Sequence, residues 1–305
     1  MRLPRFLRAL LQPYYIHRPS QLLKRIWREW LLSSHAPQTA TLPWGSPLQI
    51  NPVEHIGRSV WLHGIHGIAV CEILWRLARP GMNVIDAGAN IGIMTSLLAH
   101  RTATEGRVYA FEPHPSLYST LAENIRRFRQ IYSTMLIPLP FALSNHEGIV
   151  QLTWTDAFRK NRGLASVSKT SSDTGGIDVP CTCLDALFPT AQIDILKIDV
   201  EGHESQVLEG AQSLLTDDRI IHVLYECLDG PDSALHDRLY ELGYTTFGIE
   251  ETMCGPRLWN LRGLPPPPNA NVSSSFLASK QPRRVVQFIA PNGWNCLTGR
   301  DAQPQ

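Results

Sequence analysis

The chain contains no C-x-x-C pair, no run of 18 apolar residues, no G-x-G-x-x-G fingerprint and no G-x-x-x-x-G-K-[ST] phosphate loop. Each absence removes a class of protein. The six cysteines (71, 181, 183, 227, 254 and 296) are scattered, which argues against a disulfide framework or zinc ribbon and for buried thiols in a reducing, cytoplasmic setting. Cys181-Thr-Cys183 has no second half-site at zinc-finger spacing, and His63-Gly-Ile-His66 has no third ligand near it. No metal is therefore expected, and the His63–His66 loop reads as structural or substrate-facing. Without an 18-residue apolar run, no segment is suited to span a membrane as a helix. A net charge of +1 offers no electrostatic footprint for nucleic acid. No internal repeat is visible, so a solenoid or propeller is excluded. What remains is a chain of 305 residues, 43% apolar, long enough for one large core and an accessory element.

The most informative stretch is Val-Ile-Asp-Ala-Gly-Ala-Asn-Ile-Gly at 84–92, followed by Val108-Tyr-Ala-Phe-Glu112. A β-branched run stopping at Asp86, small residues at glycine spacing, then an amphipathic segment spell strand, tight turn and helix. Gly88 and Gly92 let the backbone approach a ligand, and Asn90 is among the few side chains that tolerate a left-handed backbone. Glu112, closing the next strand, is placed to grip the hydroxyls of a ribose. An aspartate facing such a turn is unfavourable beside a pyrophosphate and suits a cationic ligand through charge-assisted hydrogen bonds. S-adenosylmethionine has that character, with a sulfonium, an ammonium, a ribose and no phosphate.

A second dense patch lies at Ile193–Glu204, where K-x-D-x-E-G-x-E comprises Lys197, Asp199, Glu201, Gly202 and Glu204. Together with Asp86–Gly92, Phe111-Glu-Pro-His-Pro115, Ala142-Leu-Ser144 and Leu224-Tyr-Glu226, it resembles the FkbM-type S-adenosylmethionine-dependent methyltransferases over about residues 60–250. The resemblance implies an α/β class I methyltransferase fold, Rossmann-like, with a seven-stranded, mostly parallel sheet and helices on both faces. It also implies O-methylation of a hydroxyl on a sugar, glycan or polyketide-type natural product. Asp86, Gly88, Asn90, Gly92, Glu112, Pro113 and Ala142 are then the expected cofactor-binding residues.

Methyl transfer needs the acceptor oxygen about 3 Å from the methyl carbon, and a positioned base commonly contributes ~10²–10⁴ in rate. The candidates are Asp199, Glu201, His203 and Glu226. Asp199 or Glu201 is favoured, because the turn after the fourth strand faces the methyl in this fold. Lys197 is expected to pair with one of these carboxylates and lower its pKa. His203 opens a helix and is expected to cap it or to touch substrate. A Mg²⁺ ion on Asp199, Glu201 and Glu226 is the less favoured alternative to a salt-bridged cluster. The polar loop 156–176, with Arg159, Lys160 and Arg162, is expected over the acceptor pocket. Two other functions weigh less. A nucleic-acid methyltransferase would carry an Asn/Asp-Pro-Pro-Tyr-like loop where Asp199-Val-Glu-Gly stands, and an inactive scaffold would show decay of the cofactor turn.

Charge divides the chain. Residues 1–30 hold seven Lys/Arg against Glu29, net +6, and the remainder nets −5. This basic amphipathic segment suits peripheral contact with an anionic membrane; docking on the acidic body or on a second subunit is the favoured alternative. Arg5 and Arg8 interrupt any signal-peptide core. The domain reading is a basic extension and linker at 1–45, a methyltransferase domain at 46–280, and a loosely docked tail at 281–305. A small hairpin is expected within 46–65. The oligomeric state is not legible.

Overall fold

The computed structural model describes residues 12–30, 37–154, 166–167, 175–266 and 270–299. The chain opens with a short helix α1 (Pro13–Ile16) and α2 (Ser20–Trp30), then a hairpin of β1 (Gln38–Thr41) and β2 (Pro47–Ile50). Helices α3 (His55–His63) and α4 (Ile68–Leu77) lead into β3 (Asn83–Ala87), α5 (Ile93–Thr102), β4 (Arg107–Phe111), α6 (Pro115–Phe128) and β5 (Met135–Leu139). Four short strands follow: β6 (Ala142–Leu143), β7 (Gly148–Trp154), β8 (Ser166–Val167) and β9 (Gly175–Thr182). The chain then runs through α7 (Leu184–Leu187), β10 (Ile193–Ile198), α8 (Glu204–Glu209), α9 (Gln212–Thr216), β11 (Ile220–Glu226) and α10 (Ala234–Glu241). It closes with β12 (Thr245–Thr252), β13 (Gly255–Asn260), β14 (Val272–Ser279), α11 (Pro282–Ile289) and α12 (Asn295–Thr298).

The main sheet has eight strands in the order β13-β12-β14-β11-β10-β3-β4-β5. Pairing is parallel from β11 through β10, β3 and β4 to β5, and antiparallel where β14 inserts between β11 and β12. Without β13 this is the seven-stranded class I methyltransferase sheet; β13 is an added edge strand, paired antiparallel to β12. Strands β3, β10 and β11 are mostly apolar because both faces of a parallel sheet are covered. One face packs Trp75, Leu97, Leu121 and Phe128, and the other packs Leu196, Val207, Leu214 and Leu239. Helix α6 shows how the pattern works. Its Leu117, Leu121, Ile125 and Phe128 fall on one stripe and are buried, as a core-facing helix requires.

Two expectations change. The hairpin lies at 38–50, earlier than the 46–65 window, and 55–63 is helix ended by a left-handed Gly64. The docked part of 281–305 is also firmly held: Val285, Ile289, Trp294, Cys296 and Leu297 are all buried. The cause is a buried ion pair on α4. Arg76 Nε donates to Glu72 at 2.6 Å, and its other nitrogens donate to the carbonyls of Ile289 (2.9 Å) and Gly293 (2.6 Å). Glu72 in turn accepts from the Cys296 N–H at 2.8 Å. The last helices thus complete a polar network inside the protein. Truncating Arg76 to Ala would leave the buried Glu72 carboxylate without its counter-ion and the carbonyls of Ile289 and Gly293 without this donor. Urea unfolding should show a loss of ~3–5 kcal/mol, with α11 and α12 the first segments to lose amide-exchange protection.

Candidate active site

The cleft opens at the carboxyl ends of β3, β4 and β10, where the chain order switches from one side of the sheet to the other, which is where open α/β sheets bind ligands. Its first wall is the turn after β3. Gly88, Asn90 and Gly92 all have positive φ, at 73°, 50° and 93°. Gly88 is required at its position, since a Cβ there would lie 1.8 Å from the Asp199 carbonyl oxygen. The amides of Gly88 and Ala89 both donate to Phe111 O, at 3.0 and 2.8 Å. The turn is thereby tied to β4 and, through its close approach, to the end of β10.

Lys197 completes this tie from below. It is buried on β10, with Nζ 3.1 Å from Asp86 and 3.6 Å from Asp199, and it donates to Gly88 O at 2.9 Å and Ala87 O at 3.3 Å. Burial works against its charge, but Asp86 and Asp199 outweigh that and its pKa is raised. Asp86 itself is fully buried, and its other oxygen accepts from the Thr95 hydroxyl at 2.7 Å. The structure therefore turns Asp86 toward Lys197 and α5 instead of toward a ligand. A carboxylate on a central strand needs a partner to be buried, and Lys197 is next to it in register.

Glu112 follows β4 and is buried. Its carboxylate accepts the Asn90 and His114 amides, each at 2.9 Å. Burial pushes its pKa up to about 7 despite these two bonds. Across the cleft Glu201 sits at φ 53°, a left-handed conformation that is strained for a side chain of its size. Burial first, then Asp199, Glu226 and Glu204, push it up to about 7 as well. The loop is held by Glu204, whose Oε1 accepts the amides of Val200 and Gly202, both at 3.2 Å. His203 is buried with Nε2 3.0 Å from the Ser144 hydroxyl, and its side chain does not cap α8.

Of the residues singled out in the sequence, Gly88, Asn90, Glu112, Pro113, Ala142, Asp199, Glu201 and His203 line one cleft of about 740 Å³, counting its open mouth. Asp86, Gly92, Lys197 and Glu226 do not line it. Gly92 is buried under α6, where a Cβ would meet Leu121 at 2.9 Å. Glu226 accepts from the Ser274 hydroxyl at 2.7 Å instead. Most of the 156–176 loop falls outside the described residues. Sequence reasoning missed Ile56, which lines the cleft from α3, and Phe141, Leu143 and Leu152. Ile56 had no signal because its segment resembled a hairpin. His66 belongs to the loop read as structural or substrate-facing; burial, reinforced by His55, lowers its pKa to about 4, with Asp199 acting in the opposite direction.

The donor set fits S-adenosylmethionine. Phe111, Leu117, Phe141 and Leu152 offer apolar walls, and Glu112, Asp199 and Glu201 offer carboxylates. Among the described residues no lysine or arginine lines the cleft. A pyrophosphate would lack a countercharge there; a sulfonium would not.

A model of the FkbM methyltransferase domain matches residues 86–245. The chain belongs to this family. Those residues form an S-adenosylmethionine-dependent methyltransferase domain. Among curated proteins the chain is 28% identical over 169 residues to the hexuronic acid methyltransferase AglP of Haloferax volcanii, covering 54% of this chain and 64% of that one. It is 31% identical over 156 residues to the methyltransferase sdnD of Sordaria araneosa, covering 42% and 59%. The chain thus spans less than two thirds of the length of these relatives. A solved S-adenosylmethionine-dependent O-methyltransferase of Thermotoga maritima is 13% identical, with 70% of this chain and 64% of that one covered, at a TM-score of 0.36. That likeness is too distant to inform the site.

The position of Glu112 generates a pH test. A ribose held by this carboxylate needs it ionised, whereas burial favours its neutral form. Raising the pH through about 7 should therefore tighten cofactor binding, by up to about tenfold per pH unit below that point. Stability of the cofactor-free protein should move the other way. The share due to Glu112 is full below the ordinary glutamate pKa and is lost as pH rises toward 7. Calorimetry at pH 6 in buffers of different ionisation heat should show proton release on cofactor binding, absent from Glu112→Gln.

Proposed function

We propose that the protein moves a methyl group from S-adenosylmethionine to a hydroxyl oxygen of a sugar or natural product, with Glu201 accepting the hydroxyl proton and Asp199 orienting the hydroxyl. The observation that carries this reading is Glu201 itself: a carboxylate in a strained turn, on the wall of the cleft, with its pKa raised to about 7. A base is most effective when its pKa lies near the working pH. The family supports methyl transfer, and the name of AglP, a hexuronic acid methyltransferase, supports a sugar acceptor.

The cofactor supplies an electrophilic methyl carbon and a neutral thioether leaving group. The protein supplies position and proton transfer. Asp199 is half exposed, with its carboxylate 3.6 Å from the buried Lys197 ammonium. Anchored by this ion pair, it can accept a hydrogen bond from a neighbouring hydroxyl of the acceptor and so hold the reacting oxygen with a lone pair toward the methyl. Glu201, two residues on, then takes the proton as the oxygen–carbon bond forms. Glu112 and the Gly88–Asn90 turn are proposed to hold the nucleoside. Apolar side chains around them exclude water, which strengthens each of these contacts.

Turnover with a hexuronate or hexose glycoside panel and methyl-labelled cofactor provides the check, with O-methyl products read by NMR. The rate should rise with pH through about 7, because only ionised Glu201 accepts a proton. Glu201→Gln should lose ~10²-fold or more in kcat and flatten that limb. Asp199→Ala should lower turnover while leaving cofactor affinity within a factor of about three, since Lys197 keeps Asp86 as its partner. Methyl transfer to nitrogen or carbon only, or an unchanged pH limb in Glu201→Gln, would refute the assignment.

A further inference from the structure

Helix α2 has two faces of opposite character. Its inner face is fixed to α3 and the residues that end it: Gln21 donates to Leu62 O at 3.4 Å, and Arg28 donates to Trp61 O at 2.8 Å with its guanidinium 4.3 Å from the Trp61 ring centre. Its outer face carries Leu23 and Trp27, one turn apart, each 71% exposed. Large apolar side chains that far exposed and adjacent on a helix mark an interaction surface when polar residues rim them. The rim here is basic. Lys24 is exposed beside them, and Arg18 and Arg25 of the same segment are half-buried.

We propose that α2 docks the protein on an anionic lipid surface, with Leu23 and Trp27 entering the headgroup region and the basic rim facing lipid phosphates. Charge complementarity selects this occupant. The first 30 residues net +6 while the rest of the chain nets −5, so an anionic surface attracts this end and repels the body. Tryptophan favours the interface, where its ring is buried and its edge stays wet. Each basic residue near such a surface adds to the attraction. The geometry also connects to the cleft. Helix α2 packs on α3, and Ile56 of α3 lines the cleft wall, so docking sets the cleft one helix away from the bilayer. No helix among the described residues is long and apolar enough to cross a membrane; the contact is peripheral. This inference does not rest on the acceptor proposed above, and its test measures no methyl transfer.

The full chain is sedimented with sucrose-loaded vesicles of phosphatidylcholine alone or with about one third phosphatidylglycerol. Binding is expected to the anionic vesicles, to weaken in high salt, and to fall about tenfold or more in the Leu23→Glu/Trp27→Glu double variant. Both positions are exposed, so the variant should keep its cofactor affinity, which serves as the folding control. A smaller loss is expected from Lys24→Glu. Failure of the parent to pellet with anionic vesicles, or equal pelleting of parent and double variant, overturns the proposal. So does a parent dimer in sedimentation velocity that the double substitution converts to monomer, because the face would then belong to a second copy.

Discussion

The buried ammonium of Lys197 organises the cleft end of this protein. Lys197 lies between two carboxylates and two backbone carbonyls, all drawn from elements that must meet for the cleft to exist. A lysine buried alone would be strongly disfavoured, and so would the fully buried Asp86. Each is stable there because of the other. Their pairing aligns β3 with β10, holds the glycine turn against the end of β10, and leaves Asp199 as the outermost member of the chain of charges. The Thr95 hydroxyl closes the inner end. The geometry of the cleft floor therefore depends on a cation and an inner carboxylate, Lys197 and Asp86, that do not themselves line the cleft.

Around that network the cleft is acidic and lacks a cationic side chain among the described residues. Glu112 and Glu201 occupy opposite walls, both held near neutrality in pKa chiefly by burial. The same physical cause serves two different ends. At Glu112 two backbone amides already occupy the carboxylate and orient it. At Glu201 the neighbouring carboxylates and a left-handed backbone keep the group poised and only loosely partnered. The two carboxyl groups thus share a raised pKa and differ in what holds them.

Much of the fold was legible because local pattern and tertiary role agreed. The apolar runs at 84–87, 108–111 and 193–198 became adjacent parallel strands, and the stripe on α6 became core. The turn Gly88–Gly92 and the acid after the next strand came out as neighbours, as their spacing indicated. Where pattern misled, long-range partners were responsible. Asp86 looked like a ligand contact, but its partner Lys197 is more than a hundred residues away. The segment after Lys280 looked unanchored because its anchors, Glu72 and Arg76, sit on a helix two hundred residues earlier. The eighth strand, β13, carries a mixed polar sequence at the sheet edge, where one exposed flank weakens the apolar signal.

By its own sequence the chain determined its family, its parallel sheet and the left-handed turn at the cleft, because these follow from residue type at short spacing. Glycine conformations, strand patterning and a terminal acid are local facts. Only the folded structure decided which carboxylates face the cleft and which are consumed by an internal cation. Burial and pairing energies depend on neighbours brought together from distant parts of the chain, and no short-range pattern encodes which of several acids will meet Lys197.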